Sequence, residues 1–254
     1  MEIVIIGSGN VATHLAKAFK ANNITISQIY SRSIDSAQNL ANIIGSDFTN
    51  SVSKISRKAD IYFYAITDDA LLSIIESIDI PNAIHVHTAG SVDMEIFKNH
   101  VNHYGVFYPL QTFSRTKELD FKDIPILIEA SDIDTENQLF EIANAVSENC
   151  LKANSTQRKQ IHLAAVFVCN FTNYMYSVGA ELAENSSLSF DILKPLIAET
   201  ANKINFLTPF NAQTGPATRN DKKIINEHLK MLETKPALQQ LYQVISDQIY
   251  KMKK

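Results

Sequence analysis

With only two cysteines among 254 residues, Cys150 and Cys169, the chain has neither a disulfide framework nor a paired-cysteine metal site. Two reduced thiols packed as small hydrophobes are expected. No apolar stretch approaches the ~20 residues needed to span a bilayer, and the start, Met1-Glu2 and a short apolar run ending in glycines, lacks the basic region and cleavage site of a signal peptide. A cytoplasmic protein with no membrane contact is the expectation. Basic residues number 23 against 27 acidic ones and form no block. That argues against nucleic acid as a partner, because such binding needs a clustered cationic face. A 45% hydrophobic content excludes disorder, and the length admits one large α/β domain or two.

What is present is alternation. Residues 2–6, 24–30, 60–66, 83–88 and 124–129 are short runs rich in Ile, Val, Tyr and Phe and read as strands. Between them, residues 12–21, 37–44 and 70–78 carry apolar side chains at helical spacing. Such a βαβ series predicts an α/β fold with a doubly wound, mainly parallel sheet covered by helices on both faces. From about Ser155 the strand-like runs stop, and 157–185, 190–206 and 221–252 read as helical, broken by Pro209, Gly215 and Pro216. A boundary is expected at 153/154, giving a Rossmann-like domain over 1–153 and an all-helical domain over 154–254.

Directly after the first apolar run stands Gly7-Ser8-Gly9-Asn10-Val11-Ala12, which fits the dinucleotide fingerprint G-x-G-x-x-G/A. The first glycine permits the tight strand-to-helix turn, the second lets backbone approach a pyrophosphate, and Ala12 lets the helix sit close on the sheet. The helix start adds free N–H groups and a positive dipole end. Some twenty residues on, the second strand ends in Tyr30-Ser31-Arg32-Ser33. An NAD site usually places Asp or Glu there; a cation flanked by Ser31 and Ser33 suits a 2′-phosphate, so NADP is the expected cofactor. Ligands in open α/β sheets bind beyond the carboxyl ends of the strands. Ile66 and Thr67 at one strand end, and Thr88, Ala89 and Gly90 at the next, are therefore expected to wall the nicotinamide half, with Ser91 near the substrate. Asp68 or Asp69 is expected to cap the helix that follows. His85 and His87, two residues apart on one strand face, are read as hydrogen-bonded structural histidines, and no third ligand at a recognised spacing supports a metal.

Taken in order, the glycine loop, Tyr30–Ser33, His87-Thr88-Ala89-Gly90-Ser91, Gly105–Phe113, the helix from His162 and Thr214–Asp221 resemble the bacterial proteins that join a Rossmann-like domain to a C-terminal DUF2520 domain. The layout is similar to pyrroline-5-carboxylate reductase, ketopantoate reductase and the 3-hydroxyacid dehydrogenases. The resemblance implies an NADP-dependent oxidoreductase with a small-molecule substrate, a helical substrate domain like the C-terminal domain of 6-phosphogluconate dehydrogenase, and a homodimer formed through it. It departs at Tyr108, where many relatives carry His before the proline.

Helical spacing puts His162, Val166 and Asn170 on one stripe. The resemblance aligns His162 and Asn170 with the lysine and asparagine that face the substrate carbonyl in related reductases. Histidine can supply a proton near neutral pH, as hydride addition to C=O or C=N requires. Tyr108, Ser91 and Arg219, the last after a Gly-Pro break and able to hold an anionic group, complete the expected substrate contacts. An alternative reading is a non-catalytic NADP(H)-binding sensor.

Overall fold

The computed structural model describes residues 1–114 and 117–254. In chain order the elements are β1 (Glu2–Ile6), α1 (Asn10–Ala21), β2 (Thr25–Tyr30), α2 (Ile34–Ile44), β3 (Asp47–Thr49), β4 (Ile61–Tyr64), α3 (Asp68–Ser77), β5 (Ile84–His87), β6 (His103–Pro109), β7 (Ile126–Ala130), α4 (Ile133–Val146), β8 (Cys150–Lys152), α5 (Ser155–Ala165), α6 (Thr172–Glu184), α7 (Lys194–Lys203), α8 (Pro209–Ala212), α9 (Lys222–Met231) and α10 (Pro236–Lys253). Two compact units divide the chain at Tyr174/Met175.

In the first unit one eight-stranded sheet runs β3-β2-β1-β4-β5-β6-β7-β8, parallel from β3 to β6, antiparallel between β6 and β7, and parallel again between β7 and β8. This is the expected doubly wound arrangement. Apolar side chains alternate to both faces of its central strands: Ile3, Ile5, Phe63 and Phe107 meet α1, α2 and α4 on one side, while Val4, Ile6, Tyr62 and Tyr64 meet α3 and Phe97 on the other. A sheet covered on both faces accounts for β1 reading as an unbroken apolar run. Three strands were not expected from the sequence. β3 and β8 have three residues each at the two edges, and β6 contains polar Tyr108 and His103.

The last strand ends at Lys152 and α5 starts at Ser155, yet the first compact unit continues to Tyr174. Helix α5 begins in a capping box, Asn154 accepting from the Gln157 N–H at 2.9 Å while the Gln157 side chain accepts from the Asn154 N–H at 3.0 Å. Between α5 and α6 the segment Val166–Phe171 is a π-helix, so the expected single helix over 157–185 is two helices joined by a widened turn.

The second unit consists of the end of α6 and α7–α10. Helices α9 and α10 are two, because Pro236 cannot continue α9 and instead starts α10. Their packing is held by the Gln239 side chain on the Leu229 carbonyl at 2.8 Å and by His228 Nδ1 with the Tyr242 hydroxyl at 2.9 Å. Few side chains are buried here, whereas Leu188, Ile192, Leu196, Ile204, Phe206 and Met231 are exposed, Phe206 to 86%. Among the described residues no helix is long and apolar enough to cross a membrane.

Candidate active site

Beyond the carboxyl ends of β1, β2, β4 and β5 lies a cavity of about 580 Å³ lined by Gly7–Val11, Tyr30–Arg32, Ala65–Asp68, Thr88 and Ala89 among others. The backbone geometry around the glycines explains the cavity's shape. Gly7 has φ +130° and its N–H donates to the Tyr30 carbonyl at 2.8 Å. A Cβ there would lie 2.8 Å from the Ala65 carbonyl carbon, so β1 and β4 approach this turn too closely for any side chain. At Gly9, the N-cap of α1, a Cβ would meet nothing within 4 Å: the space it would fill is open. Ala12, in the first turn of α1, is fully buried against the sheet. Helix α1 carries no acidic residue in its first turn and no side-chain cap, leaving its N–H groups toward the cavity end.

Ser8 and Ser31 join the two strand ends through a 2.8 Å hydroxyl bond. Ser33 caps α2, accepting from the Ser36 N–H at 3.3 Å, and Arg32 is exposed just before that helix. Ile66 and Thr67 follow β4. Thr67, not Asp68 or Asp69, occupies the N-cap position of α3; the two aspartates sit in its first turn, where they complement the helix dipole. Asp68 also accepts a hydrogen bond from Ser91, tying the loop after β4 to the loop after β5.

His85 and His87 belong to the core. His85 Nε2 lies 2.9 Å from the Ile80 carbonyl, and its Nδ1 is 2.8 Å from the Tyr64 hydroxyl. Since a carbonyl only accepts, the proton is on Nε2 and Tyr64 donates to Nδ1. Burial pushes His85 down to about 4, and burial together with the nearby Arg158 guanidinium pushes His87 down to about 3. Both are neutral rings. His87 Nδ1 accepts from the Ala89 N–H at 3.2 Å and its ring stacks on Phe97, which shapes the turn Thr88-Ala89-Gly90.

A second cavity, about 610 Å³, is lined by Asn10, Val11, Tyr108, Leu110–Phe113 and, from α5 and the π-helix, Ile161, His162, Ala164–Val166 and Val168–Asn170. Asn10 and Val11 line both cavities, so the two adjoin at the start of α1. Within the second, the Tyr108 hydroxyl is 3.0 Å from His162 Nδ1. Gly90 faces both rings: a Cβ there would lie 2.8 Å from His162 Cγ and 2.9 Å from Tyr108 Cζ. Burial raises the Tyr108 phenol above its ordinary value, with Arg158 opposing that rise. The π-helix carries Asn170 in the same wall. Arg219 belongs to the second unit, exposed in the turn Pro216–Arg219 that follows Gly215. Among the described residues no group of three or more His, Cys, Asp and Glu could hold a metal ion.

Residues 2–88 match the family described as NADP oxidoreductase, coenzyme F420-dependent, and residues 124–249 match DUF2520, a domain of unknown function. The chain is 45% identical to a Bacteroides fragilis protein provisionally named an NADP oxidoreductase, over 98% of each chain and with a TM-score of 0.92. It belongs to this family of DUF2520-containing NADP oxidoreductases. The family's cofactor is NADP. The oxidoreductase also shares its fold with an imine reductase from Myxococcus stipitatus solved with NADP+ (14% identity, 99% and 92% of the two chains, TM-score 0.67) and with pyrroline-5-carboxylate reductase from Streptococcus pyogenes (10%, 99% and 98%, TM-score 0.65). No curated protein sequence matches it.

Sequence reasoning missed Arg158, Glu129 and the π-helix. Arg158 is fully buried on α5 against Glu129 of β7. Its only sequence signal was a basic residue one turn before His162, a common pattern on a solvated helix face.

Proposed function

We propose that this protein moves a hydride between NADP(H) and a small C=O or C=N substrate. The observation that carries the reading is the adjoining pair of cavities, one bordered by the glycine loop and Arg32, the other by Tyr108, His162 and Asn170. A volume of about 580 Å³ is within the usual range of cofactor sites, and the open space at Gly9 fits close approach of a pyrophosphate to backbone.

In this reading the loop from Gly7 to Ala12 holds the pyrophosphate, through the N–H groups at the start of α1, and Ser31, Arg32 and Ser33 hold the 2′-phosphate. Ile66, Thr67, Thr88, Ala89 and Gly90 wall the nicotinamide end. When bound, the nicotinamide supplies or accepts the hydride. His162 holds the proton that the substrate heteroatom gains in the reducing direction. Tyr108 keeps its own proton, since burial raises its phenol. Its oxygen accepts from the Nδ1–H of the doubly protonated His162 ring, which gives its Nε2 proton to the substrate heteroatom and is left as the neutral tautomer with hydrogen on Nδ1. Asn170 orients the substrate, and Ser91 helps through its link to Asp68.

The protein is a homodimer through its helical part. Support comes from the exposed Leu163, Phe167, Val168 and Phe171 on one run of helix, apolar side chains of the kind that mark an association surface.

The test is a thermal-shift titration with NADPH, NADP+, NADH and NAD+, followed by NADPH consumption against a panel of ketones, keto acids and cyclic imines. Selective stabilisation by NADPH and NADP+, with turnover lowered in His162→Gln at unchanged NADPH affinity, is expected. No stabilisation by any of the four at millimolar concentration would overturn the reading.

A further inference from the structure

At the N-terminus of α5, Glu129 from β7 accepts from the Ser155 N–H at 2.7 Å and from the Ser155 hydroxyl at 2.8 Å, and pairs with Arg158. The other end of the guanidinium donates to the Val92 carbonyl and, at 3.0 Å, to Ser155 Oγ, which also accepts from the Met94 N–H at 3.1 Å. One fully buried arginine thus joins α5 to β7 and to the loop that carries Gly90. A buried ion pair is weak evidence for stability, because desolvation offsets most of the attraction. What this pair does is define a position.

The register makes the consequence geometric. In the antiparallel pair β6/β7, Val106 lies opposite Glu129 and Tyr108 opposite Leu127, so Glu129 and Tyr108 share the sheet face on which α5 sits. Arg158 and His162, four apart, share one face of α5. The helix is therefore pinned to the sheet at two points one turn apart, Arg158 on Glu129 and His162 on Tyr108.

We propose that Arg158 and Glu129 are positioning residues that set the helix register and so hold the His162 ring against Tyr108 and Gly90. This rests on the reductase reading only for the purpose of that pair; the placement stands on the contacts themselves.

The experiment is NMR of histidine ring signals in full-length protein labelled at histidine, with His162 assigned from His162→Gln. Tyr108→Phe supplies the displacement that marks loss of the ring contact. Arg158→Lys offers a point charge in place of the two-ended fork, and is expected to shift the His162 signal in the same direction by at least half of that displacement. His14 and His228 should stay in place, and the NADPH-induced rise in Tm should be retained. Arg158→Met/Glu129→Leu, which replaces the pair by apolar groups of similar volume, folds without the buried charges and is expected to give the same shift. A His162 signal that stays at its wild-type position in either variant overturns the proposal, as does one that Tyr108→Phe fails to move. A pair that only stabilises would lower Tm and leave the ring signal unmoved. Absence of any NADPH effect on wild-type Tm would sink the reductase reading and leave this one intact.

Discussion

Acid is the perturbation whose effect the core predicts most directly. His85 and His87 are held neutral inside the sheet, at about 4 and about 3, against 6.5 for a free ring. Below pH 6.5 the unfolded chain takes up protons that the folded chain refuses, so stability falls as pH falls through the window from 6.5 down to those two values. It is fully present above 6.5. Between pH 7 and 5 each histidine costs about 1.5 pH units at ~1.36 kcal/mol, roughly 2 kcal/mol, and the two together roughly 4. That is a large share of a typical stability of about 5–15 kcal/mol. Asp93, held low by Lys159, and Asp132, where hydrogen bonds from Thr135, His103 and Ser131 outweigh burial, lose their contributions only in more acid solution. Urea unfolding at pH 7, 6 and 5, followed by tyrosine fluorescence since the chain has no tryptophan, measures the slope. His87→Phe, beside Phe97, should unfold more easily at pH 7 yet lose up to about 1.4 kcal/mol per pH unit of that slope. A wild-type stability at pH 5 within about 1 kcal/mol of that at pH 7 would refute the argument that both rings stay neutral.

Gly7→Ala adds a Cβ against the Ala65 carbonyl at a φ that L residues rarely adopt; a loss of about 2–3 kcal/mol and disappearance of the NADPH-induced Tm rise are expected in thermal melts. Arg32→Ala should weaken NADPH by about 10–100-fold, the worth of a charged hydrogen bond, with NADH unchanged; equal losses for both nucleotides in binding titrations would remove the 2′-phosphate role. Gly90→Ala should displace the Tyr108–His162 pair, read as the same His162 ring shift given by Tyr108→Phe. Sedimentation at micromolar concentration should give twice the chain mass for wild type and a monomer for Phe167→Asp with Phe206→Asp; a monomeric wild type would contradict the dimer.

The glycine loop, the strand-helix alternation and the switch to helix near Ser155 were legible because each is local. Periodicity and turn chemistry act over a few residues, and β1, α1 and the Gly7 turn follow from them. Strands β3 and β8 were not legible, being too short to carry a pattern and stabilised by the strands and helices they meet only in the fold. Strand β6 was hidden for another reason: Tyr108 and His103 look like loop residues until β5 and β7 flank them. The π-helix left no mark in the apolar spacing. Glycine at position 90 reads in sequence as a flexible turn, whereas its need for no side chain comes from two rings supplied 18 and 72 residues later, Tyr108 and His162. The same holds for Arg158 and Glu129, ordinary charged residues in the chain that become a buried clamp only when α5 lies across β7. The amino-acid order by itself determined the class of fold, the glycine loop and the residue types available at His162. Only tertiary structure decided which polar groups lose their water, and the loss of water turns Arg158 and Tyr108 from surface types into buried groups beside the candidate site.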